Sequence, residues 1–479
     1  MKNIRKQANI THYIKIASRG LPRLRHTFAK LSIISNKHIF STSQLTGGSE
    51  MKKLFVFLFV AGLIAASASP LFAGGIENKH NWSAEWVRSL NRNGATDSAD
   101  AVAYNPAGTM KMDGGFYLNI TGQLALKDYS NTYQGTKYET DEPDFVPSLF
   151  ALYKQDKWAF YGAVTIVVAG GTVDYENGST TTKMLADGII ALSPPLPSPP
   201  FPPGTTTFNN ILNQQLEGEA YSVGYTIGAS YAFNDMFSVS LGARFVDASR
   251  EFKGSATLNN SLTPAVPTTT YAVDYEETGD GWGGIIGLNI APTEELNIGL
   301  RYETKTSIDL ETKEKTDTVP VPGGLVTDGA KRNRDLPALL GVGISYKFSP
   351  KIRVETDLTY YFNEDADWTD NPITGADETQ KDNGYDIGIA FEYTFNPKWK
   401  ASVGYMYTDV GIEPDNMSIE TPELDASTIA GGFAFKPTPN WDLNLGILKT
   451  FYDDATTTSG IYYEKDVVII ALGVQYKFF

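Results

Sequence analysis

The chain predicts an all-β protein: a 14-stranded antiparallel transmembrane β-barrel with a short, partly helical N-terminal hatch inside the barrel. Three observations carry that prediction. From Phe116 onward apolar and polar residues alternate in fourteen separate stretches, the period of a strand with two unlike faces. The connections between those stretches alternate between short and long. A secretory leader precedes them, and no later window holds the roughly 18 consecutive apolar residues of a membrane helix.

The leader begins at Met51, in "MKKLFVFLFVAGLIAASASPLFAGG". Lys52 and Lys53 form a basic start, Leu54 to Ala66 an apolar centre, and Ala73 a small residue at a cleavage point, so 51–73 is expected to be a signal peptide. Residues 1–50 are basic, hold three of the four histidines and resemble nothing downstream. They are expected to be an upstream extension without a functional role, either never translated or a targeting peptide. Residues 74–115 are then the hatch and 116–479 the barrel.

Residues 1–73 contain eleven of the 40 basic side chains and one of the 55 acids, which leaves 29 basic against 54 acidic residues, a net charge near −25. Such a balance argues against nucleic acid, whose phosphates require a basic footprint, and against docking on an anionic membrane through a basic face. With no cysteine there is no disulfide, thiolate nucleophile or zinc-thiolate site. No cofactor and no metal are expected.

The stretches lie near 116–128, 145–154, 158–169, 219–232, 237–253, 271–290, 296–310, 336–348, 351–362, 384–395, 399–410, 427–435, 441–451 and 462–479. In "KIRVETDLTYY", for instance, Ile352, Val354, Thr356, Leu358 and Tyr360 share one face and Arg353, Glu355, Asp357 and Thr359 the other. Many run ten to fifteen residues, the length a tilted strand needs to cross a bilayer, whereas strands of soluble sheets average five or six. Six connections are tight, among them "SPK" before Ile352 and "NPK" before Trp399, and all six follow even-numbered stretches. Those after odd-numbered stretches are long or acidic, as at 170–218 and 363–383. Sorting by parity is what short periplasmic turns and long extracellular loops produce. Trp158, Phe237, Trp399 and Trp441 open strands after tight turns, in the outward register, and predict an aromatic girdle at the periplasmic interface.

Fourteen strands enclose a lumen too wide for wall side chains to fill. Small inward residues such as Gly224, Gly228, Gly242, Gly287, Gly341, Gly343, Gly388, Gly404, Gly432 and Gly473 widen it further. Residues 74–115 lie between leader and first strand, on the periplasmic side, and suit a plug. Ser83 is placed to cap a helix carrying Trp86, Val87 and Leu90, with Trp82 as a staple, and Asp97 to cap a second through Ala103. Pro106 fixes its own φ and pushes Asn105 out of the helical region, a rigid stop. Ala107 and Gly108 let the chain run close to a wall.

The stretch "DSADAVAYNPAGTMKM", after a signal peptide and before fourteen strands, resembles the FadL/TodX family of outer-membrane transport proteins. In that family an Asn-Pro-Ala hatch plugs a fourteen-stranded barrel, which maps here onto Asn105, Pro106 and Ala107, with Gly108 following. The resemblance implies a bacterial outer-membrane channel for passive uptake of long-chain fatty acids or related hydrophobic compounds. Ligand would be captured on extracellular loops, bound in the barrel and released laterally through the wall after hatch rearrangement. It further implies contact with outer-membrane lipid, and with the barrel-assembly machinery during insertion. The segment "WSAEWVRSLNRNGAT" and the proline tract "SPPLPSPPFPP" depart from fatty-acid members, and the terminal apolar register on Phe478, Tyr476 and Val474 is one residue off the usual assembly signal.

Residues for that route can be named. The 170–218 loop has two apolar pieces of helical aspect, one with Met184, Leu185, Ile189 and Ile190, the other with Phe208, Ile211, Leu212 and Leu216. An apolar patch rimmed by polar residues is a capture surface, and a lid in which the two pieces cover each other is the alternative. The stretch "WAFYGAVTIVVAGGT" is apolar on both faces, and Gly170-Gly171 is where pairing is expected to break for a lateral opening. A ligand carboxylate requires a cation. Arg244, Arg301 and Arg353 are the inward candidates, and Glu303, Glu355 and Asp357 their competing partners.

Catalysis has little to stand on. The one histidine after the leader is His80, outside the barrel, and "GDGWGG" (279–284) fits a dinucleotide fingerprint in spelling only, with no helix behind it. "DADWTDN" (365–371) reads as a solvated acidic loop rather than a calcium site. The competing functions are a surface adhesin or structural barrel, and a porin for polar solutes.

Overall fold

The computed structural model describes residues 81–479 apart from 199, 202, 204, 264–265, 321–323 and 370–381. The expected leader and the residues before it lie outside the described residues, as do parts of the proline tract and of the 365–371 stretch. Fourteen long antiparallel strands form one sheet closed on itself: β1 Gly115–Tyr133, β2 Asp144–Gln155, β3 Trp158–Tyr175, β4 Asn210–Ala232, β5 Phe237–Asn259, β6 Thr269–Ile290 and β7 Leu296–Glu303. They continue as β8 Ala338–Ser349, β9 Ile352–Phe362, β10 Gly384–Asn396, β11 Trp399–Asp409, β12 Ala426–Phe435, β13 Trp441–Tyr452 and β14 Tyr462–Lys477. Closure comes from β1 pairing β14, from Tyr117↔Lys477 to Thr132↔Tyr462. Short strands at Thr136–Thr140, Asp309–Asp317, Lys331–Asn333 and Ala455–Thr456 extend the sheet on the loop side.

Each predicted stretch falls on one barrel strand, and the seventh is cut short. The chain leaves β7 after Glu303, folds over the inner face of β6 and rejoins the sheet at Asp309–Asp317. The glycines of "GDGWGG" make this crossing possible. A side chain at Gly279 would lie 2.5 Å from the Asp309 carbonyl oxygen, and one at Gly281 would overlap that of Ser307.

Outward positions are apolar and exposed, including Ile227, Leu241, Ile286, Ile344, Ile389, Val403, Ile447 and Leu472. In water this would be an aggregating surface; in a bilayer it is the lipid-facing band. Aromatic side chains bound the band at both edges. Below are Trp158 beside Tyr231, Trp399 stacked on Phe435 and Trp441 beside Tyr476; above are Phe245 and Trp282, with centroids 5.1 Å apart. On β5 the two edges are Phe237 and Phe245. Eight residues at about 3.3 Å, tilted about 40°, span roughly 20 Å along the membrane normal.

Candidate functional site: a filled lower lumen, an apolar outer pocket and a gap in the wall

The lower lumen is occupied by residues 81–112. Helix α1 (Ala84–Ser89) starts at Ser83, whose hydroxyl accepts from the Trp86 N–H at 3.0 Å, and ends at Leu90 with φ 61°. Trp82 lies against Tyr104, and the guanidinium groups of Arg244 and Arg301 lie over its ring at 5.3 and 5.8 Å. Helix α2 spans Ala101–Tyr104. Its N-cap is Asp100, without a side-chain cap, so the expected capping by Asp97 is corrected: Asp97 instead accepts from Arg92 at 2.8 Å and from Lys400 at 3.0 Å. A carboxylate this close to two cations gains more from pairing than from a cap, and Arg92 and Lys400 hold it well below the usual carboxylate range against the opposing effect of burial.

The Asn-Pro-Ala-Gly stretch is a docking element. The Asn105 side chain accepts from the Gly108 N–H at 3.1 Å and donates to the Ala95 carbonyl at 3.0 Å and to Asn289 of β6 at 2.8 Å. Ser230 of β4 donates to the Pro106 carbonyl and Ser238 of β5 to that of Ala107, both at 2.8 Å. A side chain at Gly108 would overlap the Asn105 amide.

Charge secures the middle of the segment. The fully buried Arg92 binds Asp100, and Asp357 of β9 accepts the N–H groups of Arg92 and Asn93 at 2.6 and 2.7 Å. Glu355 accepts the Gly94 N–H at 3.0 Å, and Arg88 donates to Glu392 at 2.8 Å. Inward glycines make the approach possible. A Cβ at Gly404 would overlap the Ser89 carbonyl oxygen, one at Gly343 the Gly94 nitrogen, and one at Gly299 the Asn93 carbonyl oxygen. The small inward residues are therefore filled rather than open. Gly228 and Gly242 are covered in turn by the Tyr161 ring, whose hydroxyl bonds Ser240.

The three inward arginines are already partnered. Arg244 forms a two-pronged pair with Glu303, Arg301 donates to the Ala103 carbonyl and lies 3.3 Å from Glu303, and Arg353 sits between Glu355 and Glu392 at 3.4 and 3.3 Å. All three help hold the segment or the wall beneath it.

Above, the loops form an apolar pocket of about 460 Å³. Helix α3 (Thr180–Leu192), closed at its start by a Ser179–Thr182 capping box, contributes Met184, Leu185, Ile189 and Leu192. Phe208, Tyr271, Pro320 and Ile419 complete the lining with few polar atoms. Ile190 and Ile211 pack behind it. The second apolar piece is not helical: Ile211, Leu212 and Leu216 belong to β4, because β4 and β5 keep pairing above the membrane, up to Asn210↔Asn259. Leu212 accordingly points outward, 53% exposed, and Leu216 is buried in the barrel core. Tyr271, Pro320 and Ile419 come from three other stretches, and no local pattern in the sequence marks them.

The backbone ladder between β2 and β3 is incomplete. Strands β2 and β3 pair from Gln155↔Trp158 to Leu149↔Val164, and among the described residues no β2–β3 pair lies above that. There β3 turns away along β4 with two register shifts, around Ile166/Val168 and Ala169/Gly171. Gly170 is the extra residue of the second shift, and Gly171 has φ +91°, a conformation glycine adopts without strain. Pro147, on the β2 side, has no N–H to offer a neighbour. Two side chains bridge the top of the gap: Asp144 accepts from the Thr172 N–H at 3.2 Å and Thr140 from the Asp174 N–H at 2.9 Å. Behind the gap is a small cavity of about 70 Å³, floored by Trp86 and lined by Ala125, Lys127, Val146, Ile166, Met406, Leu448 and Ile469. It holds a few waters at most, since a water occupies about 30 Å³.

A lipid-facing closed barrel, a stopped lumen and an apolar pocket at its outer mouth define an outer-membrane transport barrel of the class that handles hydrophobic compounds. The family described as outer membrane protein transport protein (OMPP1/FadL/TodX) matches residues 216–478, more than half of the chain, and the chain belongs to it. No curated protein sequence matches. Among solved structures, the Pseudomonas aeruginosa FadL homologue superposes with TM-score 0.60 at 14% identity, covering 85% of this chain and 100% of the homologue. The P. putida toluene transporter TodX gives 0.59 at 13% identity over 84% and 99%. The Ralstonia pickettii toluene transporter TbuX gives 0.57 at 16% over 85% and 100%. At these identities the likeness establishes the fold.

Proposed function

We propose that the protein carries hydrophobic small molecules, long-chain fatty acids or hydrocarbons, passively across the outer membrane. Ligand is captured in the pocket of Met184, Leu185, Ile189 and Phe208. It then descends into the upper lumen above residues 81–112, which act as a hatch, and leaves sideways through the β2–β3 gap at Gly170-Gly171. The carrying observation is the 460 Å³ pocket, whose size and mostly apolar lining fit a hydrophobic ligand better than a polar solute. The 70 Å³ inner cavity means that passage requires hatch or wall to move. Mass spectrometry of small molecules retained by the detergent-extracted protein tests this reading. Fatty acids or hydrocarbons are expected with the unaltered chain, and depleted from an Ile189→Asp, Phe208→Asp variant. An empty barrel that conducts ions freely would instead establish a polar-solute porin.

A further inference from the structure

Lys127 and Asp144 form a buried ion pair in the wall itself, beside the β2–β3 gap. Both are buried, and the Lys127 ammonium of β1 donates to Asp144 Oδ2 of β2. The other oxygen of the same carboxylate accepts the Thr172 N–H of β3. One side chain thus ties three strands together where the backbone ladder between two of them is missing. The pair packs against the backbone of Gly171 so closely that a Cβ there would overlap both the ammonium and the carboxylate. Inward, Lys127 faces the cavity behind the gap, with its ammonium 5.3 Å from the Tyr129 ring centroid. A second ammonium, Lys465, lies 4.5 Å from the same ring centroid and donates to the Pro422 carbonyl.

We propose that Lys127 and Asp144 are the clasp of the lateral exit, opened when the anionic head group of a ligand replaces Asp144 on Lys127. Asp144 is an internal stand-in for that head group. The Lys127 ammonium exchanges one charge-assisted hydrogen bond for another. The displaced Asp144, left with the Thr172 N–H alone, must move toward water, which is what loosens the seam. The exchange frees Asp144 from β1, and the Thr172 end of β3 is then held to β2 more weakly. A neutral hydrocarbon has no means of making the exchange, so the clasp couples exit to head-group charge. The inference rests on the lateral route proposed above.

The test uses the full chain reconstituted in liposomes, with uptake of oleate and of oleyl alcohol, which share a hydrocarbon tail. Lys127→Met is expected to lower the oleate to oleyl alcohol ratio about tenfold, the worth of one hydrogen bond to a charged group. Lys127→Arg should restore most of it, and Asp144→Asn should raise uptake of both compounds by weakening the clasp. Heat-dependent mobility on gels shows whether each variant forms the barrel. An oleate to oleyl alcohol ratio unmoved in Lys127→Met, with the barrel intact, overturns the clasp while leaving transport standing. Failure of the unaltered chain to move either compound overturns the transport reading, and the clasp with it.

Discussion

The two halves of the lumen are held by different chemistry. The lower half is polar and dense. Arg88, Arg92 and Asn105 reach from residues 81–112 to acids and amides of the wall, and inward glycines let backbone lie on backbone. The outer pocket above it is apolar, closed by side chains of α3, Phe208 and three other stretches around about 460 Å³. Seams follow the same division. Strands β5 and β6 pair without interruption from Phe237↔Ile290 to Leu258↔Thr269, whereas β2 and β3 stop at Leu149↔Val164. The two kinds of contact differ in how they yield: directional bonds resist sliding, whereas apolar contacts and a short ladder give way more readily.

The sharpest way to break the lower half is Gly404→Val. Valine suits a strand, so the substitution costs the wall little by itself, but its side chain overlaps the Ser89 carbonyl oxygen. Ion conductance in planar bilayers is expected to rise at least about tenfold as the plug leaves a fourteen-stranded lumen. Unchanged conductance would remove the plug role from residues 81–112. Next in size is Arg92→Met, which strands the buried Asp100 without its cation and takes from Asp97 one of its cations, Lys400 remaining. It should cost about 3–5 kcal/mol, read as faster proteolysis of the segment and a lower Tm.

Glu85 gives the lower half a pH dependence. Burial, and then the neighbouring Asp100 and Asp442, push its carboxyl up to about 7, with Arg92 opposing. A raised carboxyl is neutral in both states below about pH 4.5, and the penalty for ionising it inside the barrel grows from there to pH 7. The segment should therefore be docked more firmly at pH 5 than at pH 8, by roughly 3 kcal/mol at the limit. Proteolysis at the two pH values checks this, and Glu85→Gln should flatten the difference.

The upper half yields smaller effects. Ile189→Asp puts a charge into the apolar pocket and should weaken binding of a hydrophobic probe about tenfold to a hundredfold, measured by fluorescent-ligand displacement, without opening the pore. Leu212→Ser, on the outer face of β4, should change binding less than about twofold. A large loss there would mean that ligand enters along the outside of the wall.

Much of this was legible in the chain itself. Alternation reports a strand directly, because the side-chain period of two puts lipid on one face and lumen on the other. Fourteen strands, their loop parity, the girdle tryptophans and the Ser83 cap all follow from local rules of that kind. The Asn-Pro-Ala-Gly stretch was visible as a rigid stop, and α3 as an apolar piece of the long loop. Local pattern misled at three points, the first being the seventh stretch, which alternates to 310 although its strand ends at Glu303. Asp97 has a capping residue's chemistry but lies within reach of Arg92 and Lys400, and charge pairing overrides the cap. Ile211, Leu212 and Leu216 are spaced like one helix face, yet β5 continues alongside and takes them into its ladder.

What the sequence by itself determined is the wall, because each strand's lipid face is written in its own alternation. Tertiary structure alone decided what lies inside: which glycine receives Ser89 or Asn93, which acid meets Arg92, that Asp144 spans the missing ladder from Lys127 to Thr172, and which distant loops close the outer pocket. Those contacts join residues up to hundreds of positions apart, and only closure of the barrel brings them within bonding distance.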